Sequence, residues 1–233
     1  MIPIMGLQKT SLIDYPKVIC TTIFLGGCNF KCPYCHNPDL VLKRGSPLIA
    51  DYEVLEHLKR RKGLIDGLCV TGGEPSLHLG LPDFLRRVKS LGFLVKLDTN
   101  GTNPEMLDEL ISGSLVDYVA MDIKAPLERY SSVVRAPVNL KSIGDSIDII
   151  RGAEIDYEFR TTVVPDLLNE EDILALGQWL KGTKKYVLQQ FRPAPKMLDP
   201  SFKNIKPYNY DEVKRFQGLL KKYVNLVELR GIM

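Results

Sequence analysis

Three of the five cysteines, Cys28, Cys32 and Cys35, fall within eight residues at the spacing C-x3-C-x2-C. An odd cysteine count crowded in this way points, in a reducing compartment, to metal or redox chemistry before disulfides. Three thiolates on one loop can wrap a single centre, either zinc or an iron–sulfur cube. Structural zinc wants four ligands, and the nearby fourth, His36, directly follows Cys35, so the two are poorly placed for two corners of one tetrahedron. A cube on three cysteines instead leaves one iron without a protein ligand, open to chelation by a small molecule. An open iron is a catalytic feature.

Further polar residues follow short β-rich runs. Strands are expected at 18–25, 67–71, 93–98, 117–123, 156–164 and 185–191, with a last one at 224–229. Stretches of helical period separate them, which is the βαβ signature. Val18-Ile-Cys-Thr-Thr-Ile-Phe-Leu and Tyr118-Val-Ala-Met are apolar on both parities, as parallel strands buried on both faces require. Helices are expected from Asp51 to Gly63, from an Asn103 cap with Pro104 at the first position, up to a stop at Gly92, and from Asn169 to Gly182. The segment 196–210, rich in Pro, Lys and Asn, reads as a loop.

Six β/α units in a row predict an α/β fold of parallel strands, a partial (β/α)6 TIM-type barrel rather than the eight-unit form, which takes about 250 residues. One domain over 1–233 is expected, with an N-terminal extension at 1–17, a core at 18–191, and a C-terminal loop, helix and strand at 192–233. Parallel barrels place chemistry at the C-terminal ends of their strands. There lie the cysteine loop, Gly72-Gly73-Glu74-Pro75, Asp98-Thr99-Asn100-Gly101, Asp122-Ile123-Lys124, Arg160 within strand five, and Gln189-Gln190-Phe191-Arg192. Two glycines let a main chain approach a ligand closely, and a carboxylate complements an ammonium.

The sequence is 45% hydrophobic and 25% charged, with 31 basic against 28 acidic residues and a net charge of +3. These values suit an ordinary globular domain and single out neither nucleic acid nor membrane as a partner. No apolar run nears the roughly 20 residues of a membrane helix, and the start lacks the pattern of an export signal, so a cytoplasmic location is expected.

Cys28, Cys32, Tyr34 and Cys35 match the Cys-x3-Cys-x-aromatic-Cys loop that defines the radical S-adenosylmethionine (SAM) superfamily, which the chain resembles. The resemblance implies a [4Fe–4S] cluster on the three cysteines, with SAM on its open iron. It implies adenine contacts from Tyr34 and, through the backbone, His36, and a SAM-ammonium site at Gly72, Gly73 and Glu74. Asp98, Thr99, Asn100 and Asp122 resemble ribose and carboxylate contacts of the glycyl-radical-enzyme activases, with Lys124 as the cation for the SAM carboxylate and Arg160 a matching strand-five residue. Gly6-Leu-Gln-Lys-Thr-Ser-Leu-Ile-Asp-Tyr-Pro, Tyr34-Cys-His-Asn-Pro, Leu97-Asp-Thr-Asn-Gly and Val187-Leu-Gln-Gln-Phe-Arg-Pro are similar to anaerobic ribonucleoside-triphosphate reductase activating proteins. The implied partners are that glycyl-radical enzyme and a low-potential donor such as flavodoxin or ferredoxin. Two departures bear on details: Lys17 stands where the group has glycine, and strand six offers Gln190 and Arg192 where related activases have a histidine.

The remaining candidates divide between function and packing. Asp14 is a substrate-facing residue by resemblance and an ordinary turn carboxylate otherwise. Cys20 and Cys69, inside strands, are expected in the core. His57 and His78 lack a second ligand at metal spacing and are expected at the surface, and Trp179 is expected to pack an outer helix on the sheet. Rival readings are an activase of another glycyl-radical enzyme such as pyruvate formate-lyase, a small-molecule radical SAM enzyme, and a non-catalytic zinc or iron–sulfur scaffold.

Overall fold

The computed structural model describes residues 2–44 and 48–232, so that the two end residues of the expected 1–233 domain lie outside it. The chain folds as two compact units. One comprises Met1–Asn29, Asp39–Ala120 and Lys141–Asp156; the other comprises Phe30–Pro38, Met121–Leu140 and Tyr157–Met233.

The first unit holds strands β1 (Ile4–Ser11), β2 (Cys20–Leu25), β3 (Gly67–Gly72) and β4 (Leu94–Thr99), and the start of β5 (Tyr118–Asp122), hydrogen-bonded in that order. Pairs β2·β3 and β3·β4 are parallel, whereas β1 runs antiparallel to β2 with two register irregularities. In β2 and β3 side chains of both parities are buried, as the apolar runs anticipate. Helices α1 (Pro38–Val41), α2 (Asp51–Arg60), α3 (Leu81–Ser90) and α4 (Pro104–Ser112) connect them. Asp51 is the first helical residue of α2 rather than its cap, which is Ala50, and its carboxylate pairs with Arg87 of α3. Asn103 caps α4, its side chain accepting from Met106 N at 3.2 Å, with Pro104 at the first position.

In the second unit, the end of β5 is followed in sheet order by β6 (Asp156–Val163), β7 (Lys185–Gln190) and β8 (Leu226–Arg230), with β6·β7 and β7·β8 parallel. Helices α5 (Tyr130–Val134), α7 (Glu170–Trp179) and α8 (Tyr210–Leu220) belong to this unit, while all but the first residue of α6 (Leu140–Gly152) belongs to the first. The caps follow elementary chemistry: Asn169 and Asp172 bond reciprocally at the start of α7, as do Asn209 and Glu212 at α8. The expected loop at 196–210 contains one turn of 3-10 helix, Pro200–Asn204, and its last residue opens α8. Trp179 meets the ring of Tyr130 edge-on at 6.3 Å.

Two features differ from expectation. The segment read as an extension contains β1, whose Gln8, Lys9 and Thr10 are exposed and whose register shifts obscure alternation. Lys17 adopts φ +64°, a left-handed conformation that favours glycine, at a steric cost of about 1 kcal/mol. Cys20 and Cys69 are fully buried, as expected. His57 is half-buried, within 3.2 Å of the Thr21 hydroxyl and 3.3 Å of Lys9 O, and burial lowers its pKa.

Candidate active site

In the first unit, β2 runs through Gly26 and Gly27 to Cys28, and the end of β3 lies directly against it. Gly73 N donates to Leu25 O and Glu74 N to Gly27 O, both at 2.8 Å. A Cβ on Gly73 would sit 2.0 Å from Gly27 O, and one on Gly72, which has φ +125°, 2.3 Å from Leu25 N. The close approach these glycines permit is therefore to the chain itself, Gly72 to the end of β2 and Gly73 to the start of the cysteine loop. The Glu74 side chain is likewise engaged internally. It is buried, and accepts from Ser76 N at 3.1 Å, the Thr99 hydroxyl at 2.7 Å and Asn100 N at 2.6 Å. Burial pushes its carboxyl above the ordinary value, against these hydrogen bonds. Glu74 thus ties the end of β3 to the end of β4.

The β4 loop in turn braces the cysteine loop. Asn100 Nδ2 donates to Asn29 Oδ1 at 2.8 Å and lies 4.0 Å from Cys28 Sγ, while Asn29 Nδ2 donates to the Thr102 hydroxyl at 2.8 Å. Asp98 pairs with Lys96, a buried lysine 2% exposed whose Nζ also lies 3.9 Å from Cys69 Sγ. Asp14 sits in a turn whose backbone is held by the Ser11 hydroxyl, and its carboxylate accepts from Thr22 at 2.7 Å. Gly27, Cys28, Asn29, Lys43, Leu77 and His78 border a cavity of about 320 Å³. His78 Nε2 has no hydrogen-bond partner among the described residues, and burial lowers its pKa, leaving the ring neutral at pH 7.

In the second unit, Cys32 O accepts from Cys35 N at 3.0 Å, closing a tight turn around Pro33 and Tyr34. The C-terminal loop fastens it: Leu198 N donates to Cys35 O and Asp199 N to Pro33 O. His36 Nε2 lies 2.7 Å from Arg192 O, so this nitrogen carries the proton. Arg192 itself reaches Gly231 O, and Gln190 donates to Tyr208 O.

Asp122, at the end of β5, is bracketed by two cations, Arg160 Nε at 2.6 Å and Lys124 Nζ at 3.1 Å. Burial alone would raise its pKa, but Arg160 and Lys124 override this and hold it well below the carboxylate range. Burial would lower Lys124, and Asp122 with the neighbouring Tyr34 and Cys32 drives it well above its ordinary value instead. Lys124 carries a positive charge close to the cysteine loop. That charge is felt at Cys32, whose thiol burial raises and Lys124 pulls back toward the thiolate. Tyr34 is buried, and burial keeps its hydroxyl protonated.

None of the five cysteines is in a disulfide. Among the described residues no three His, Cys, Asp or Glu side chains are gathered closely enough to hold one metal ion; taken singly, Cys28 beside an amide N–H and Cys32 under a lysine charge are thiols of the kind an iron–sulfur cube takes.

Residues 22–180, more than half of the chain, match the family described as the Radical SAM superfamily. The chain belongs to that superfamily. As a radical SAM enzyme it uses a [4Fe–4S] cluster and S-adenosylmethionine. It is 36% identical over 234 residues to a Methanocaldococcus jannaschii protein bearing the name glycyl-radical enzyme activating enzyme, covering 97% of this chain and 95% of that one. A pyruvate formate-lyase-activating enzyme of Clostridium pasteurianum is 25% identical over 233 residues, 93% of this chain and 96% of its own. Streptococcus suis SuiB, solved with S-adenosylmethionine, shares the fold with a TM-score of 0.67 at 12% identity, over 87% of this chain. This radical SAM chain spans only 47% of SuiB's length. No helix among the described residues is long and apolar enough to cross a membrane.

Sequence reasoning missed Lys96 and Tyr130. Lys96 reads as an ordinary strand residue, and only its burial beside Asp98 marks it. Tyr130 is buried, with its hydroxyl 3.3 Å from Lys124 N, and nothing in its local sequence announces that contact.

Proposed function

We propose that this radical SAM enzyme activates a glycyl-radical enzyme, an anaerobic ribonucleotide reductase in the first instance. With cluster and SAM bound, the chemistry supplied is one-electron scission of the sulfonium to methionine and a 5′-deoxyadenosyl radical. Cys28, Cys32 and Cys35 hold the cluster. The observation that carries the reading is the Asp122, Lys124 and Arg160 cluster: the Lys124 charge beside Cys32 suits a bound carboxylate and an anionic cluster together. Lys124 orients the carboxylate of SAM, and Arg160 holds Asp122 in place.

In the first unit, Glu74, Thr99 and Asn100 fix the loops that shape the nucleoside side of the site, and Gly72 and Gly73 present backbone groups there. Asp98, held by Lys96, offers its carboxylate to ribose hydroxyls. Tyr34 and His36 flank the adenine, and Asp14 faces the polypeptide substrate. The electron comes from a low-potential carrier such as flavodoxin or ferredoxin, and the enzyme works in the cytoplasm.

The full-length likeness to an M. jannaschii protein named for glycyl-radical enzyme activation supports a polypeptide glycine as the target. The comparable coverage of the C. pasteurianum protein supports pyruvate formate-lyase as the second candidate. Reduced holoenzyme with SAM is mixed with each candidate partner and examined by EPR. A glycyl doublet on the reductase supports the reading, a doublet on pyruvate formate-lyase alone shifts the target, and silence with both overturns it.

A further inference from the structure

The cavity beside Cys28 is bordered by residues of different chemistry. Its lining includes Gly27, Cys28 and Asn29, the start of the loop carrying the cysteines. Its rim carries Leu42, Lys43 and Leu77, all exposed, and the adjoining Leu79 is 89% exposed. A single exposed leucine is unremarkable, whereas two on the lining of one cavity, with a third two residues further along the chain, form a patch of the sort that proteins use for contact. Among the described residues no carboxylate lines the cavity; its one full charge is Lys43, since His78 is neutral at pH 7.

The proposed reaction consumes one electron from outside for each SAM cleaved, so a redox partner must come close to the cysteine loop. A complex that forms and parts every turnover needs little area, and electron-transfer encounters lie below about 1,200 Å². An apolar patch with a lysine at its edge suits a partner presenting apolar surface ringed by carboxylates.

We propose that the patch formed by Leu42, Lys43, Leu77 and Leu79 is the docking surface for an acidic, low-potential electron-carrier protein that reduces the cluster. One electron leaves the reduced carrier and enters the cluster; the carrier is oxidised, the cluster reduced, and no bond forms or breaks. The inference rests on the radical SAM reading of the site.

The test uses full-length reconstituted enzyme, Lys43→Glu and Leu77→Ala, with a flavodoxin and a [4Fe–4S] ferredoxin as parallel probes. Dissociation constants are measured by anisotropy of the labelled carrier, and cluster reduction by stopped-flow bleaching with each carrier and with dithionite. For at least one carrier, Lys43→Glu weakens binding and slows reduction about 5- to 20-fold, since reversing a rim charge acts on the encounter. The difference disappears near 1 M salt, where the screening length falls to about 3 Å. Leu77→Ala weakens binding of the same carrier, and both variants keep the wild-type rate with dithionite. The proposal is overturned if neither carrier binds, if both bind Lys43→Glu as well as wild type, or if dithionite reduction slows equally. Failure of the functional reading shows separately, as wild type that yields no 5′-deoxyadenosine with dithionite.

Discussion

Replacing Glu74 separates two roles that the residue type alone leaves open, ligand for an ammonium or brace between loops. In the structure its two oxygens accept from Ser76 N, the Thr99 hydroxyl and Asn100 N. In Glu74→Ala the hydroxyl can turn elsewhere, but the two backbone donors stay buried without partners, at about 1–3 kcal/mol each. With the lost hydroxyl bond the expected destabilisation is about 3–5 kcal/mol, a large share of a typical 5–15 kcal/mol. At an m-value of about 2 kcal/mol/M, the urea midpoint falls by about 1.5–2.5 M. Glu74→Gln keeps the shape and loses less, about 1–3 kcal/mol, because its amide group faces a donor.

The pH dependence provides an independent check. Burial raises the folded pKa above 4.5, so between the two values the native state binds more protons than the unfolded chain, and stability falls as pH rises. Relative to Glu74→Gln, which does not titrate, wild type therefore loses part of its advantage as pH climbs from below 4.5. Equal urea midpoints for wild type and Glu74→Ala, together with a weakened SAM dissociation constant, would refute the bracing argument and return Glu74 to the role of ligand.

Three further outcomes follow from the charged groups and the glycines. Asp122→Asn removes the carboxylate that Arg160 and Lys124, 12% and 18% exposed, share; denaturation should show a loss of about 1–3 kcal/mol, and calorimetry a weaker SAM affinity. Glu158 is fully buried and bonded by Arg230 at 2.8 and 2.9 Å; burial alone would raise its pKa, but Arg230 above all pulls it down to about 2. Its contribution is complete above pH 4.5 and disappears as pH falls through about 2, so wild type and Glu158→Gln should differ in urea midpoint at pH 6 and converge near pH 2. Gly73→Ala forces a Cβ to within 2.0 Å of Gly27 O, and iron content after reconstitution should drop at least several-fold while the far-UV spectrum stays that of a folded α/β chain.

Much of this was legible from local pattern. Strands β2 and β5 announce themselves because strands buried on both faces leave continuous apolar runs. The Asn103 and Asn169 caps are legible because a capping side chain acts within three residues. By contrast β1 was missed: an edge strand with an exposed polar stretch and irregular register carries little alternation. The glycines at 72 and 73 signalled close approach but not to what; the partners are Leu25 and Gly27, far along the chain. Glu158 with Arg230, and Glu74 with Asn100, are pairs that only tertiary structure brings together. Lys17 shows another limit: its residue type does not announce the left-handed backbone it adopts, at φ +64°.

The central claim is that the thiols of Cys28, Cys32 and Cys35 carry a [4Fe–4S] cluster with one iron open to SAM. Anaerobic EPR of the reconstituted, reduced protein, recorded with and without SAM, tests it most directly. The account predicts a reduced-cluster signal of about one spin per chain whose g values shift when SAM is added. A protein that takes up no iron, or a cluster signal that SAM leaves unchanged, would contradict it.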